Sequence, residues 1–208
     1  MYTHKKDIVT AGVPAADAKR AIIFLHGRGA SADSIVSLND HLKVTDAALF
    51  APQAANDSWY PYSFIMPVAQ NQPALDSALD VIKALVADIV SAGIHESNIY
   101  FVGFSQGACL TLEYVARNAQ QYGGVVAFTG GLIGKDIDMK NYRGSFKQTP
   151  ILITTRDPDS HVPVRRVEMS EGILKKMDAN VSLKIFPGRA HTISAKEIEL
   201  ARTLIFNL

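Results

Sequence analysis

The residues Gly103-Phe-Ser-Gln-Gly107 place a serine between two glycines, directly after the apolar run that starts at Ile99 and directly before a segment with helix character. Gly-x-Ser-x-Gly at a strand-to-helix turn is the nucleophile-elbow pattern. The turn is so sharp that a side chain on either flanking residue would strike the neighbouring strand or helix, and the serine itself must accept strained dihedrals. In return its hydroxyl stands at the tip of the turn. The free N–H groups of the first helical turn lie behind it, aimed at developing negative charge. The chemistry this suits is nucleophilic attack by Ser105.

A serine hydroxyl attacks only if a base removes its proton, normally a histidine held by an acid. The chain has six histidines. His4 lies in a start expected to be disordered, and His41 and His95 follow helices and are expected in solvent. His26 ends the first core strand, where it supports the glycine loop that follows. His161 follows the strand beginning at Pro150, and His191 follows the strand Asn180–Phe186. Where the elbow occurs, the chain order is serine, acid, histidine, which selects His191 as base and leaves His161 as a rim residue. The acid is expected after the preceding strand, in Asp157-Pro-Asp159-Ser-His-Val-Pro163, where two aspartates compete. The oxyanion of acyl transfer needs preorganised donors. These are expected to be the backbone N–H groups of Gln106, next to the nucleophile, and of Arg28, in the loop His26-Gly-Arg-Gly29. The Gln106 side chain is expected only to cover the site. That of Arg28 is expected to be solvated, or to attract an acidic substrate group from the mouth.

The elements that must position these groups alternate between strand and helix. Arg20–His26, Ala47–Phe50, Gly124–Thr129 and Pro150–Thr154 are nearly unbroken apolar runs, as strands buried on both faces require, and Ile8–Gly12 is expected at an edge. Helices are expected after an N-cap at Ser31, over Pro73–Ala92 with Gly93 past its end, from the elbow to about Asn118, over Pro163–Met177, and over Ser194–Phe206 with a Ser194/Glu197 capping box. The alternation predicts one α/β domain over residues 1–208 with a mostly parallel central sheet and helices on both faces. In such sheets the site lies at the carboxyl ends of the strands. Residues 53–72 break the pattern as a long loop rich in aromatics. Trp59, Phe64 and Met66 are expected either to wall an acyl pocket or to anchor the loop, with Trp59 and Met66 foremost in the pocket. Twenty-one basic against 20 acidic residues exclude a strongly basic nucleic-acid surface. The single cysteine, Cys109, excludes an intrachain disulfide framework and supplies no metal-ligand cluster; it is expected in the core. No apolar run is long enough to span a bilayer, and no signal core follows the first residues, so a cytoplasmic location is expected.

Four motifs, Leu25-His-Gly-Arg-Gly29, Gly103-Phe-Ser-Gln-Gly-Ala108, Asp159-x-x-Val-Pro163 and His191, resemble the phospholipase/carboxylesterase family of small α/β-hydrolases, which includes acyl-protein thioesterases. The resemblance runs from about Arg20 to the end. It implies an α/β-hydrolase fold and a Ser105–His191–Asp159 triad, since the aspartate of Asp-x-x-Val-Pro is the family's acid. It further implies cleavage of carboxylic esters, and in some members thioesters or lysophospholipids, without a cofactor or metal, on small ester or lipid-like substrates. A homodimer is common in the family. The chain departs from familiar members at Arg28, at Ala30 and over Ser58–Phe64, all around the expected acyl pocket. A ligand-binding relative without catalysis is the rival of another class, and filled triad positions speak against it.

Overall fold

The apolar runs pair into one seven-stranded sheet in the computed structural model of the chain, which describes residues 2–188 and 190–208. Arg189, two positions before His191, lies outside the described residues. The strands are β1 (Ile8–Gly12), β2 (Arg20–Leu25), β3 (Ala47–Pro52), β4 (Ile99–Phe104), β5 (Gly124–Phe128), β6 (Pro150–Asp157) and β7 (Asn180–Pro187), in spatial order β1-β3-β2-β4-β5-β6-β7. β1 runs antiparallel to β3 and the remaining pairs are parallel. The unbroken hydrophobicity of β2 has a direct cause: Ala21 to Leu25 are all fully buried, alternately towards the two faces. Each large apolar side chain so placed contributes about 1.5–3 kcal/mol relative to leaving it in water.

Helices cover both faces. On one lie α1 (Ala32–Val36), α2 (Asn39–Leu42) and α6 (Ala195–Ala201), packed on Ile22, Phe24, Val102 and Leu152; on the other lie α3 (Ala74–Ser91), α4 (Gln106–Arg117) and α5 (Val164–Lys176), packed on Ile23, Leu25, Phe101 and Ile153. Ser31 caps α1 by accepting from the Ser34 N–H. Gly93 follows the end of α3 at φ +99°, a conformation that disfavours a side chain.

Three expectations need adjustment, and one short helix had not been expected. β6 runs on to Asp157, three residues beyond Thr154, because its pairing with β7 continues through Arg156↔Phe186 and Asp157↔Pro187. The closing helix ends at Ala201 and widens into a π turn over Arg202–Phe206, which sets Ile205 and Phe206 together in the core. α2, only four residues long, lacks a side-chain N-cap and gave no periodic signal. The start of the chain is ordered around His4, which is buried; its Nε2 bonds the Trp59 carbonyl at 2.9 Å and its Nδ1 accepts from the Ala55 N–H at 3.0 Å.

Candidate active site

The carboxyl ends of β4, β6 and β7 bring together three side chains that lie far apart in sequence. Ser105 sits between β4 and α4 with φ 53° and ψ −116°, its N–H donating to the Phe128 carbonyl at 2.9 Å. The flanking glycines are there for space. A Cβ on Gly103 would lie 2.5 Å from both Thr111 Oγ1 and the Gly107 carbonyl oxygen, and one on Gly107 would overlap the Leu25 carbonyl. The elbow therefore packs directly against β2, the strand that leads into the Arg28 loop.

His191 Nε2 lies 2.7 Å from Ser105 Oγ, and its Nδ1 lies 2.8 Å from Asp159 Oδ2. Asp159 is the aspartate in contact. Asp157 ends β6, is exposed, and uses its carbonyl to accept from the Gly188 N–H at 3.1 Å. The other Asp159 oxygen accepts the N–H groups of His161 and Val162, both at 2.8 Å, and the carboxylate is completely out of solvent. Burial alone pushes its pKa up, but the bonds from His191, His161 and Val162 together outweigh this and leave it below the usual carboxylate value. The His191 ring is held from the sides by Phe104 (centroids 5.3 Å apart) and edge-on by His161 (5.0 Å).

Behind the serine, the Arg28 and Gln106 N–H groups have no acceptor among the described residues. The Gln106 side chain behaves differently from expectation, and that of Arg28, exposed at the cleft as expected, is also bonded. The Arg28 guanidinium donates to Ser58 Oγ and to the carbonyls of Tyr60, Pro61 and Tyr62, at 2.8–2.9 Å. The Gln106 amide accepts from the Trp59 N–H at 2.9 Å and donates to the Tyr60 carbonyl at 2.8 Å. Together they clip the aromatic loop to the elbow. Gln106 is a buried tie rather than a cover, and four of Arg28's donors are already engaged with the protein.

A cleft of about 620 Å³ opens in front of Ser105 and is walled by Tyr60, Tyr62, Phe64, Ile65 and Val162, with Cys109 on its floor. Of the loop residues expected to line a pocket, Phe64 does so. Trp59 does not: it is fully buried, donates from Nε1 to the His26 carbonyl at 2.8 Å, and packs between His4 and His26. Met66 is exposed and outside the cleft lining. Trp59 thus anchors the loop, because the largest apolar side chain of the segment loses most water by turning inward. Tyr60 was missed, since a loop without periodicity offers no signal for which aromatic faces the cleft. Cys109 is buried and its thiol is pushed up to about 12 by that burial, so it remains protonated as a core residue. His26 is buried, its pKa lowered chiefly by burial, and its Nε2 accepts from the Ala54 N–H. Among the described residues no group of three or more His, Cys, Asp or Glu is placed to hold a metal ion.

A family model described as phospholipase/carboxylesterase matches residues 6–207. The chain belongs to the phospholipase/carboxylesterase family. It is a carboxylic ester hydrolase of that family, with the α/β-hydrolase fold. The chain is 58% identical to a phospholipase/carboxylesterase from Dyadobacter fermentans of known crystal structure, with a TM-score of 0.98 over 99% of both chains. It is 24% identical to carboxylesterase SOBER1 of Arabidopsis thaliana over 90% of each chain. It is 26% identical to acyl-protein thioesterase 1 of Kluyveromyces lactis, covering 88% of this chain and 89% of that protein. No helix among the described residues of this family member is long and apolar enough to cross a membrane.

Proposed function

We propose that the protein hydrolyses carboxylic esters of short or medium acyl chains through an acyl-enzyme formed on Ser105. As Ser105 Oγ attacks the ester carbonyl, its proton passes to His191 Nε2. Asp159, bonded to the other ring nitrogen, fixes the tautomer and stabilises the imidazolium. The new oxyanion is met by the N–H groups of Arg28 and Gln106. Collapse breaks the bond to the leaving alcohol, which takes the proton from His191. Water then attacks the acyl-serine, losing its proton to His191; the bond from Ser105 Oγ to the acyl carbon breaks, Oγ takes that proton back from His191, and the carboxylic acid is released. The observation that carries this reading is the unbroken hydrogen-bond path from Ser105 Oγ through both nitrogens of His191 to a buried carboxylate.

The cleft in front of Ser105, floored by Cys109 and walled by Tyr60 and Phe64, supports the limit on acyl length. The similarity to a protein named acyl-protein thioesterase favours a second reading, thioester cleavage by the same groups. Purified protein should turn over p-nitrophenyl acetate and butyrate, and a fluorophosphonate probe should label Ser105. Ser105→Ala should lose at least about 10³-fold in kcat and all labelling. Near wild-type turnover in that variant would sink the assignment of the nucleophile. Active-site labelling also separates the enzyme from a binding protein without catalysis, and a parallel thioester series separates the two leaving groups.

A further inference from the structure

Glu197 is a fully buried carboxylate that the catalytic cycle above does not use. It stands in the first turn of α6, where the sequence accounts for it as a capping residue. Capping needs one bond, from the Ser194 N–H, which Oε2 accepts at 2.9 Å. Three further bonds are made, two of them to another element. Oε2 also accepts from Ser194 Oγ at 2.7 Å and from Arg156 Nη2 at 3.0 Å, and Oε1 accepts from Thr154 Oγ1 at 2.6 Å.

We infer that Glu197 is a positioning residue for His191, holding the far end of the 188–194 segment to the strand that delivers Asp159. The inference rests on the triad reading. Thr154 and Arg156 lie on β6, which ends two residues before Asp159, and Ser194 lies three residues after His191. The near end of the same segment is fixed to the same strand, by the Gly188 N–H on the Asp157 carbonyl. Acid and base are thereby referred to one frame although 32 residues separate them. The charge is essential to the clamp. Arg156 is itself largely buried, with its guanidinium over the Phe186 ring at 5.8 Å, and among the described residues its Nε has no partner. Removing the carboxylate strands that cation and frees Ser194 together.

Glu197→Gln removes the charge, and its one oxygen can stay on Ser194 and Arg156 only by turning the NH2 group to the Thr154 hydroxyl. In the folded variant, kcat should fall about 10- to 100-fold while KM stays within about twofold, because a misplacement of order 1 Å costs up to about 10²-fold in rate. Ser194→Ala, which removes the hydroxyl's bond to Oε2 and its half of the capping box but leaves Arg156 and Thr154 on the carboxylate, should lower kcat in the same direction by less. The low-field proton resonance of the His191–Asp159 bond should broaden or shift in both. Tyr142→Phe is the control. It removes a 2.8 Å bond to buried Glu113 and should lower Tm without changing kcat or that resonance. The inference is overturned if the folded Glu197 and Ser194 variants keep wild-type kcat and an unaltered resonance. Should Glu197→Gln fail to fold, Ser194→Ala decides alone. Turnover retained by Ser105→Ala would instead remove the triad reading, and this inference with it.

Discussion

A carboxylate shielded from water tends to take up a proton, and Asp159 resists that tendency through what it accepts. Two backbone N–H groups occupy one oxygen and His191 the other. The sign of the linkage follows from its lowered pKa. Stability from the ionised form is fully present above the unfolded-state value, about 3.8, and is lost as pH falls through the folded-state value. Asp159→Asn should therefore lower Tm at pH 7 by more than at pH 3, and parallel thermal melts of the two proteins across that range measure it. A constant difference would mean that the carboxylate's charge is not the source. At this scale the sequence was legible where chain order constrains it, as with His191 after the last strand. It was illegible between Asp157 and Asp159, two residues apart in the same loop; position alone left both open, and a motif resemblance chose.

Elements were legible wherever burial imposes a pattern. β2 and β4 are apolar because both faces are covered, and α3 carries its stripe at helical spacing for the same reason. Boundaries failed where partners set them: β6 continues as far as β7 pairs with it, which no property of Thr155 or Arg156 announces. The Glu197 carboxylate was likewise read as a cap, because its bonds to Thr154 and Arg156 depend on α6 lying over β6. Glycines separate into two kinds. Gly107 permits a close approach of backbone to backbone, whereas Gly172, in the middle of α5, has no neighbour within 4 Å of a built Cβ and no positive φ. Gly172→Ala should raise stability by about 0.5–1 kcal/mol through helix propensity alone, read as a shift of the urea midpoint at unchanged slope. A loss of stability would mean that α5 needs the freedom a glycine gives.

Across the whole molecule, the aromatic loop belongs as much to the amino terminus as to the site. His4 and His26 pack against Trp59, while Arg28 and Gln106 hold the Ser58 hydroxyl and the backbone of residues 59–62. The cleft wall and the two N–H groups assigned to the oxyanion are consequently one piece. Arg28→Leu, which keeps the backbone N–H and removes the clip, should broaden the range of acyl lengths accepted, measured as kcat/KM over a p-nitrophenyl ester series. An unchanged profile would assign wall geometry to Gln106 and Trp59 alone.

β7 has a neighbour on one side only, β6, and the segment that follows it carries the imidazole. The nucleophile, by contrast, rises from β4 at the centre of the sheet. If that margin opens ahead of the middle on warming, proton transfer is the first property to go, and activity would fall below the temperature at which the far-ultraviolet signal melts. The enzyme would fall silent while most of its framework still stood.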